Sequence, residues 1–227
     1  DWQAAHQQKW HQRTGCQYHW YNKNYNEFSD FTARLTSRKR KSINKERRVI
    51  AEQGIEFTWQ RGGDIEPQAL QEFYDCYQST YLKRSRQGYL TYEFFAQLLM
   101  QMPDKLLLVT ASQEQRPLAY ALFFVDDYTL YGRYWGCLEE VDFLHFETCY
   151  YQGIDYCIAN NIPHFDAGAQ GEHKLARGFI PQATHSYHYL AETGFNNAIE
   201  QYCKAEAEQI EHYMQWAQTA LPYKTKQ

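Results

Sequence analysis

Residues 105–136 read KLLLVTASQEQRPLAYALFFVDDYTLYGRYWG, and this stretch decides the fold that the sequence predicts. It contains three strand-like runs, at 105–112, 117–125 and 128–136, which are rich in aliphatic and aromatic residues. Asp126 and Asp127 leave room only for a tight connection between the last two runs. The stretch therefore predicts an antiparallel meander of three strands.

The segments on either side of the meander predict a mixed sheet with helices on both faces. Before it, we expect a strand in GIEFTWQ (54–60), a helix from Pro67 to about Leu82, and a helix that Thr91 caps and Pro103 ends. After it, the predicted elements are a helix at 143–160, a strand in PHFDA (163–167), one helical turn, a strand in THSYHYL (184–190) and a helix at 195–220. This order is an α/β (α+β) layer architecture.

A strongly basic helix precedes these elements. The pattern predicts one helix from Ser29 to Gly54, whose middle, SRKRKSINKERR (37–48), carries seven cations against Glu46. These cations are Arg38, Lys39, Arg40, Lys41, Lys45, Arg47 and Arg48. One interpretation is a solvated helix face, and the other is a dock for phosphate groups. No aromatic residues alternate with the cations, so a docked nucleic acid would be held by its backbone without base readout.

Composition excludes some classes of protein. The net charge is −4 over 227 residues, which does not favour a general nucleic-acid binder, and no apolar run is long enough to span a membrane. The six cysteines lack C-x-x-C spacing, so we expect reduced thiols and a cytoplasmic protein. The first residues, DWQAAHQQKW, indicate an internal or processed start.

The stretch FDAGAQGEHKLARGFIP (165–181) is the main candidate for a site. It matches neither the P-loop pattern nor the dinucleotide-binding pattern, so we expect no nucleotide hydrolysis. A strand ending in Asp166 leads into a glycine turn, and ligands commonly bind at strand ends of such sheets. Free N–H groups between Gly168 and Gly171 could hold an anion. The alternative is a plain strand-to-helix connection with solvated charges.

The predicted helix at 143–160 raises a geometric point about His145 and Glu147. Two residues apart on a regular helix place side chains about 200° apart, so these two cannot face one cleft. His145 lies near the helix N-terminus, where the helix dipole favours a neutral imidazole. It is either a base or a capping or core histidine. His185 and His188 point to opposite faces of their strand, and we predict no metal site.

Three long stretches carry a resemblance to a known family. SRKRKSINKERRVIAEQGIEF, LYGRYWGCLEEVDFLHFETCYYQGIDYCI and FDAGAQGEHKLARGFIPQATHSYHYL together resemble the FemAB-like group of predicted N-acyltransferases, linked to peptidoglycan biosynthesis and recognition. The element order also resembles the GNAT acyltransferase fold. The resemblance implies that residues 1–54 are the remnant of a first GNAT-like half and that residues 55–227 form a complete GNAT-like domain with an added C-terminal helix.

The resemblance also implies an activity and its substrates. Fem enzymes transfer an amino acid from aminoacyl-tRNA to an amine of a peptidoglycan precursor, and they contain a lysine near a Gly-Phe pair, similar to HKLARGF here. The acetyl-CoA signature [QR]-x-x-G-x-[GA] is not found between the meander and the helix at 143–160, and no coiled-coil tRNA arm is evident. We expect no permanently bound cofactor. The donor stays open between aminoacyl-tRNA and acyl-CoA, with tRNA as a candidate partner.

These observations yield a hypothesis for each site residue. Direct attack by the acceptor amine, without a covalent enzyme intermediate, needs a base, an oxyanion donor and positioning. We assign Asp166 or His145 as base, and Lys174 with the Gly168–Gly171 amides as oxyanion donors, with His173 also in the catalytic set. The residues that bind substrate or donor are Arg38, Lys39, Arg40, Lys41, Arg133, Trp135, Glu147, Gly168, Gly171 and Arg177.

Two alternatives remain open from the sequence. The first is a non-catalytic GNAT-fold module that recognises cell-wall peptide or sugar, in keeping with the 20 tyrosines and 6 tryptophans. The second is a nucleic-acid binder that uses the basic helix. An open groove between the third meander strand and the PHFDA strand would favour transfer over recognition.

Overall fold

The computed structural model of the chain describes residues 10–83, 85–169 and 171–224. These residues form two compact units. The larger unit contains residues 20–168 and Lys224, and the smaller contains residues 10–19 with the described part of 169–223. The predicted boundary at residue 54 stays a prediction. Residues 1–9 of the predicted remnant and Gln170 of the glycine stretch lie outside the described residues.

The sheet of the larger unit confirms the predicted meander. Its strands lie in the order β2-β3-β4-β5-β6, and they are β2 (Ile55–Arg61), β3 (Leu106–Gln113), β4 (Arg116–Val125), β5 (Thr129–Cys137) and β6 (His164–Asp166). The first four pair antiparallel, and β6 runs parallel to β5. The Asp126 carboxylate accepts hydrogen bonds from the Tyr128 and Thr129 amides, and these bonds stabilise the tight β4–β5 connection. The prediction of a mixed, mostly antiparallel sheet flanked by helices is confirmed.

The basic region forms two helices, where the sequence predicted one. These are α1 (Phe28–Ala33) and α2 (Ser37–Glu52). The helix is interrupted because the Arg34 carbonyl accepts a hydrogen bond from the Lys224 amide at 2.9 Å and not from the next helical turn. Leu35, in the interruption, is fully buried. The prediction of a continuous helix from Ser29 to Gly54 was therefore wrong at this point.

Two further helices cover the sheet with an aromatic core. They are α3 (Pro67–Leu82) and α4 (Tyr92–Gln101), and the Thr91 side chain caps α4 by accepting the Phe94 amide, as predicted. Phe73 and Phe95 meet edge to face with 5.1 Å between ring centroids. Both pack against buried leucines of β3 and β4, so burial of apolar area holds these helices on the sheet.

The helix predicted at 143–160 exists, but it contains a wider turn. It consists of α5 (Leu144–Phe146), a π segment (Glu147–Tyr151) and α6 (Gln152–Ala159), which we call the composite helix. Phe143 precedes it in a left-handed conformation, with φ of 67°. A π turn commonly marks a functional region of a helix, and the sequence did not predict this one.

The smaller unit contains a strand that the sequence did not predict. Residues 11–19 of β1 (His11–Tyr21) pair antiparallel with β7 (Ile180–His188), from His11 opposite His188 to His19 opposite Ile180. The polar composition of residues 1–27 does not predict a strand. The strand forms because its backbone pairs with a segment that is distant in sequence. The unit also contains a 3₁₀ turn (Glu172–Arg177) and α7 (Thr193–Thr219), both close to the predicted positions. None of the helices in the described ranges is long and apolar enough to cross a membrane.

Candidate functional site

A cavity lies beside β5, where this strand extends past its neighbour. The pairing of β5 with β6 covers Thr129–Tyr131 and ends at Tyr131 opposite Asp166, whereas β5 continues to Cys137. The cavity has a volume of about 120 Å³. It is lined by Ala121, Leu122, Phe123, Gly132, Arg133, Tyr134, Trp135, His145, Cys149, Tyr150 and Ala167. We call this space the β5 cavity.

An ion pair joins the β5 cavity to the end of β6. The Arg133 guanidinium donates to the Asp166 carboxylate at 3.1 Å, and the carboxylate is 8% exposed. The Arg133 guanidinium also lies 5.1 Å from the centroid of the Tyr131 ring. A cation is thus held beside the cavity by a buried carboxylate, which restricts its orientation.

The glycine turn after β6 is built on the same carboxylate. The Gly168 amide donates to Asp166 Oδ1 at 2.7 Å, and Gly168 has a φ of 78°, which favours glycine. This amide is engaged within the turn. It could serve as an oxyanion donor, as the sequence analysis assigned it, only if this hydrogen bond breaks.

His145 stands on the helix side of the β5 cavity. Its ring meets Trp135 edge to face at 5.2 Å and Tyr150 at 5.3 Å between centroids. The residue is half-buried. The structure therefore brings three of the predicted site residues, Arg133, Trp135 and His145, to one cavity.

Glu147 points away from the β5 cavity, as the 200° argument predicted. Its Oε1 accepts from Arg47 at 3.0 Å and from Gln152 at 2.9 Å, and the residue is 3% exposed. Arg47 also pairs with Asp155 at 2.6 Å. Burial raises the pKa of Glu147 even though the Arg47 cation opposes this. Glu147 joins the composite helix to α2, and its assigned role in substrate binding stays a prediction.

Four predicted site residues lie in the smaller unit. Lys174 is buried, with its ammonium 5.6 Å from the centroid of the Tyr18 ring. Arg177 is also buried and donates to the His173 carbonyl at 3.0 Å. His173 is exposed, and partial desolvation, followed by the Arg177 and Lys174 charges, lowers its pKa. Gly171 has a φ of 103°, and a Cβ there would lie 2.4 Å from the His173 ring.

The basic residues of α2 divide into two groups. Arg38 and Lys41 are exposed, whereas Lys39 and Arg40 are half-buried. Further along the helix, Lys45 and Arg48 are exposed, while Ile43 and Ile50 are buried. Arg38, Lys41, Lys45 and Arg48 follow the helical repeat and lie on one side of α2, opposite the isoleucines. We call these four residues the basic stripe.

Sequence reasoning did not single out Cys149, which lines the β5 cavity together with His145. Cys149 is half-buried, and its thiol is not part of a disulfide. The four-residue spacing from His145 on a predicted helix was the available signal. Among the described residues, no group of three or more His, Cys, Asp or Glu side chains could hold a metal ion.

The fold and the cavity define a mixed α/β domain with a charged, aromatic-walled opening beside the last meander strand. A family model for FemAB-like proteins, described as peptidoglycan biosynthesis/recognition, matches residues 1–225. The chain belongs to this family. No curated protein sequence matches it.

Solved structures are similar to this chain at low sequence identity. One is the C-terminal domain (DUF2156) of a proposed lysylphosphatidylglycerol synthetase from Agrobacterium fabrum, with 10% identity, a TM-score of 0.47, and coverage of 73% of this chain and 52% of that one. A conserved protein of unknown function from Bacteroides thetaiotaomicron has 15% identity, a TM-score of 0.43, and coverage of 69% and 53%. A conserved protein of unknown function from Staphylococcus epidermidis has 11% identity, a TM-score of 0.39, and coverage of 81% and 64%. The chain thus spans about half the length of the first two.

Proposed function

We propose that the chain is an N-acyltransferase that moves an acyl or aminoacyl group to an amine, with the β5 cavity as the place of reaction. The observation that carries the proposal is the cavity itself, which opens where β5 extends past β6 and is lined by His145 and Arg133. Family membership supports an acceptor in peptidoglycan metabolism, such as a wall-precursor peptide.

The chemistry needs a base for the ammonium proton of the acceptor. His145 is the better of the two candidates because it lines the cavity and is half-buried. Asp166 already accepts hydrogen bonds from Arg133 and from the Gly168 amide. We therefore assign Asp166 to the positioning of Arg133.

The chemistry also needs a positive group for the developing oxyanion. Arg133 is a permanent cation beside the cavity, and its ion pair with Asp166 holds it in place before substrate binds. Trp135 and Tyr150 supply apolar walls that would exclude water from the acyl group. Lys174, His173 and Arg177 keep their proposed roles in catalysis and donor binding.

The donor is proposed to be either an aminoacyl-tRNA or an acyl-CoA. The exposed cations of α2, Arg38 and Lys41, with Lys39 and Arg40, are proposed to bind its phosphates. No donor or acceptor is permanently attached in this proposal. The protein works by bringing both substrates to the β5 cavity.

A mass-spectrometric transfer assay tests the proposal. Charged tRNAs and acyl-CoAs are offered with wall-precursor peptides, and a mass gain on one amine is expected. Arg133→Gln should reduce kcat/KM by about 100-fold, because the variant has one donor fewer for the oxyanion. The matched control is Arg116→Gln. Arg116 is the exposed first residue of β4 and pairs with Glu139, so this variant should keep the rate within about twofold of the unmodified protein.

Two outcomes would contradict the proposal. Equal rates for the Arg133→Gln and Arg116→Gln variants would remove the β5 cavity from the reaction. Binding of wall fragments without a mass gain from any donor would instead leave a recognition module. The family description includes both biosynthesis and recognition, so the assay decides between them.

A further inference from the structure

His145 and Cys149 lie on the same side of the composite helix. Four residues make about one turn of an α- or π-helix, so side chains at this spacing lie on one side of the helix. The π segment begins between them, and both residues line the β5 cavity. Glu147, two residues from each, lies instead in the buried contact with Arg47. The helix thus brings a histidine and a cysteine to one cavity and turns its buried carboxylate to another side.

The small size of the β5 cavity makes this arrangement chemically relevant. A volume of about 120 Å³ is enough for a small group and not for a whole acyl donor. A carbonyl group bound there would lie near Cys149, His145 and Arg133, because all three residues line the cavity. These are the nucleophile, the base and the positive group that acyl transfer through a covalent intermediate requires.

The other cysteines of the chain are placed differently. Cys76, Cys157 and Cys203 are buried, and burial raises the pKa of Cys76 and Cys157. Cys16 and Cys137 are half-buried, like Cys149, and burial raises the pKa of both. Neither lines the β5 cavity. Both are therefore controls for the exposure of a thiol, and Cys137 also tests proximity to His145, because the two residues line a neighbouring cavity.

We infer that Cys149 carries the acyl group as a thioester during transfer, with His145 as its general base. This inference rests on the proposed function. It replaces the direct attack expected from the sequence, because that expectation did not place a thiol in the cavity.

The two steps balance in atoms and protons. His145 takes the thiol proton while the Cys149 sulfur attacks the donor carbonyl. The ester C–O or thioester C–S bond of the donor then breaks, and the leaving group takes the proton from the imidazole. In the second step the acceptor amine attacks the enzyme thioester, its proton passes through His145 to the departing sulfur, and an amide and the free thiol result.

Thiol reactivity tests the pair without any substrate. Each cysteine of the full chain is followed by peptide mass spectrometry during alkylation with iodoacetamide at pH 7. Cys149 should react about tenfold faster than Cys16 and Cys137, and His145→Ala should remove most of that difference. The control His212→Ala removes an exposed histidine from α7 and should change nothing. Equal rates at the three cysteines, or no effect of His145→Ala, would overturn the pairing.

Transfer kinetics test the thioester itself. Cys149→Ala should lower kcat by about 1000-fold and abolish the acyl-enzyme mass that donor alone produces, whereas Cys137→Ala should do neither. The Cys149→Ser variant retains a side chain of similar size, and the thermal unfolding of each variant is measured. A variant that loses transfer but unfolds at the normal temperature has lost chemistry and not folding. Transfer that survives Cys149→Ala would overturn the thioester and leave the proposed function standing. Absence of transfer by the unmodified protein would refute the proposed function, and the alkylation rates would still decide the pairing.

Discussion

Glu147 shows how one buried carboxylate links two helices. Arg47 and Gln152 both bond its Oε1, while its Oε2 is buried and has no hydrogen-bond partner among the described residues. A second carboxylate, Asp155, shares the Arg47 cation. Two acids around one cation leave a net negative charge in the interior, which is unfavourable without solvent. Burial accordingly raises the pKa of both carboxyl groups above their ordinary values.

The raised pKa of Glu147 predicts a pH-dependent stability. Above the ordinary carboxyl pKa of 4.5, the folded protein retains this proton more readily than the unfolded chain does. Its contribution to the free energy of unfolding therefore falls as pH rises through this window. Glu147→Gln does not titrate, so its stability relative to the unmodified protein should increase with pH, by at most about 1.4 kcal/mol per pH unit.

Urea unfolding between pH 3 and pH 7 measures this difference. The control is Glu140→Gln, because Lys83 lowers the pKa of the exposed Glu140 carboxyl. At pH values below 4.5, the stability of Glu140→Gln relative to the unmodified protein should fall as the pH rises, which is the opposite trend. A pH-independent difference for Glu147→Gln would show that Arg47 fully compensates the burial.

The composite helix is the element that organises the candidate site. One side carries His145, Cys149 and Tyr150 to the β5 cavity, and the other carries Glu147 to α2. Its last part packs against β6 at Gly153, where an added Cβ would lie 2.5 Å from the buried Phe165 ring. The absence of a side chain at Gly153 permits this close approach. It sets the distance between the helix and the strand that ends in Asp166.

Gly153→Ala should therefore destabilise the protein although alanine is the better helix former. The clash with Phe165 costs about 1–3 kcal/mol, and helix propensity returns about 1 kcal/mol. We expect a net loss of about 1 kcal/mol in the free energy of unfolding, measured by urea denaturation. Gly63→Ala is the control, since no atom lies within 4 Å of a Cβ there, and it should change stability by less than about 0.5 kcal/mol. A more stable Gly153→Ala variant would show that Phe165 moves aside freely.

Charge is unevenly distributed over the whole molecule. The net charge is −4, yet the basic stripe concentrates four exposed cations on one side of α2. Arg48 pairs with an acid on the same helix, Glu52, at 3.4 Å. Local charge and not net charge sets the field that a nearby polyanion meets. The stripe is thus consistent with a phosphate-bearing donor despite the acidic composition.

Binding of bulk tRNA at several salt concentrations tests this effect of charge distribution. Removing one cation that neutralises a phosphate should reduce the slope of log K against log salt by about 0.7 to 0.9. The triple variant Arg38→Gln, Lys41→Gln, Lys45→Gln should therefore reduce the slope by about 2. Its control, Lys83→Gln, Lys105→Gln, Lys204→Gln, removes the same charge elsewhere and should leave the slope unchanged. If both triple variants had the same slope of log K against log salt, the cations of α2 would be ordinary solvated charges that do not bind phosphate.

The sequence by itself determined most of the local structure. Periodicity, Pro67, Thr91 and the Asp126–Asp127 turn predicted the meander, α3 and α4, because these signals act between residues close in the chain. The sequence also predicted that His145 and Glu147 lie on different sides of their helix, because the spacing of two residues decides this. The positions of Arg133, Trp135 and Asp166 were predicted, but the ion pair of Arg133 with Asp166 was not.

The tertiary structure decided the rest, since the partners are distant in sequence. Residues 11–19 of β1 pair with β7, and the contact of Arg34 with Lys224 interrupts the basic helix. The β5 cavity exists because β6 stops at Asp166 while β5 continues, which no local pattern reveals. Burial then decided which side chains of the composite helix reach the cavity: it placed the predicted His145 and the unpredicted Cys149 beside it and turned Glu147 inward. Packing between distant segments, and not residue preference, made the candidate site.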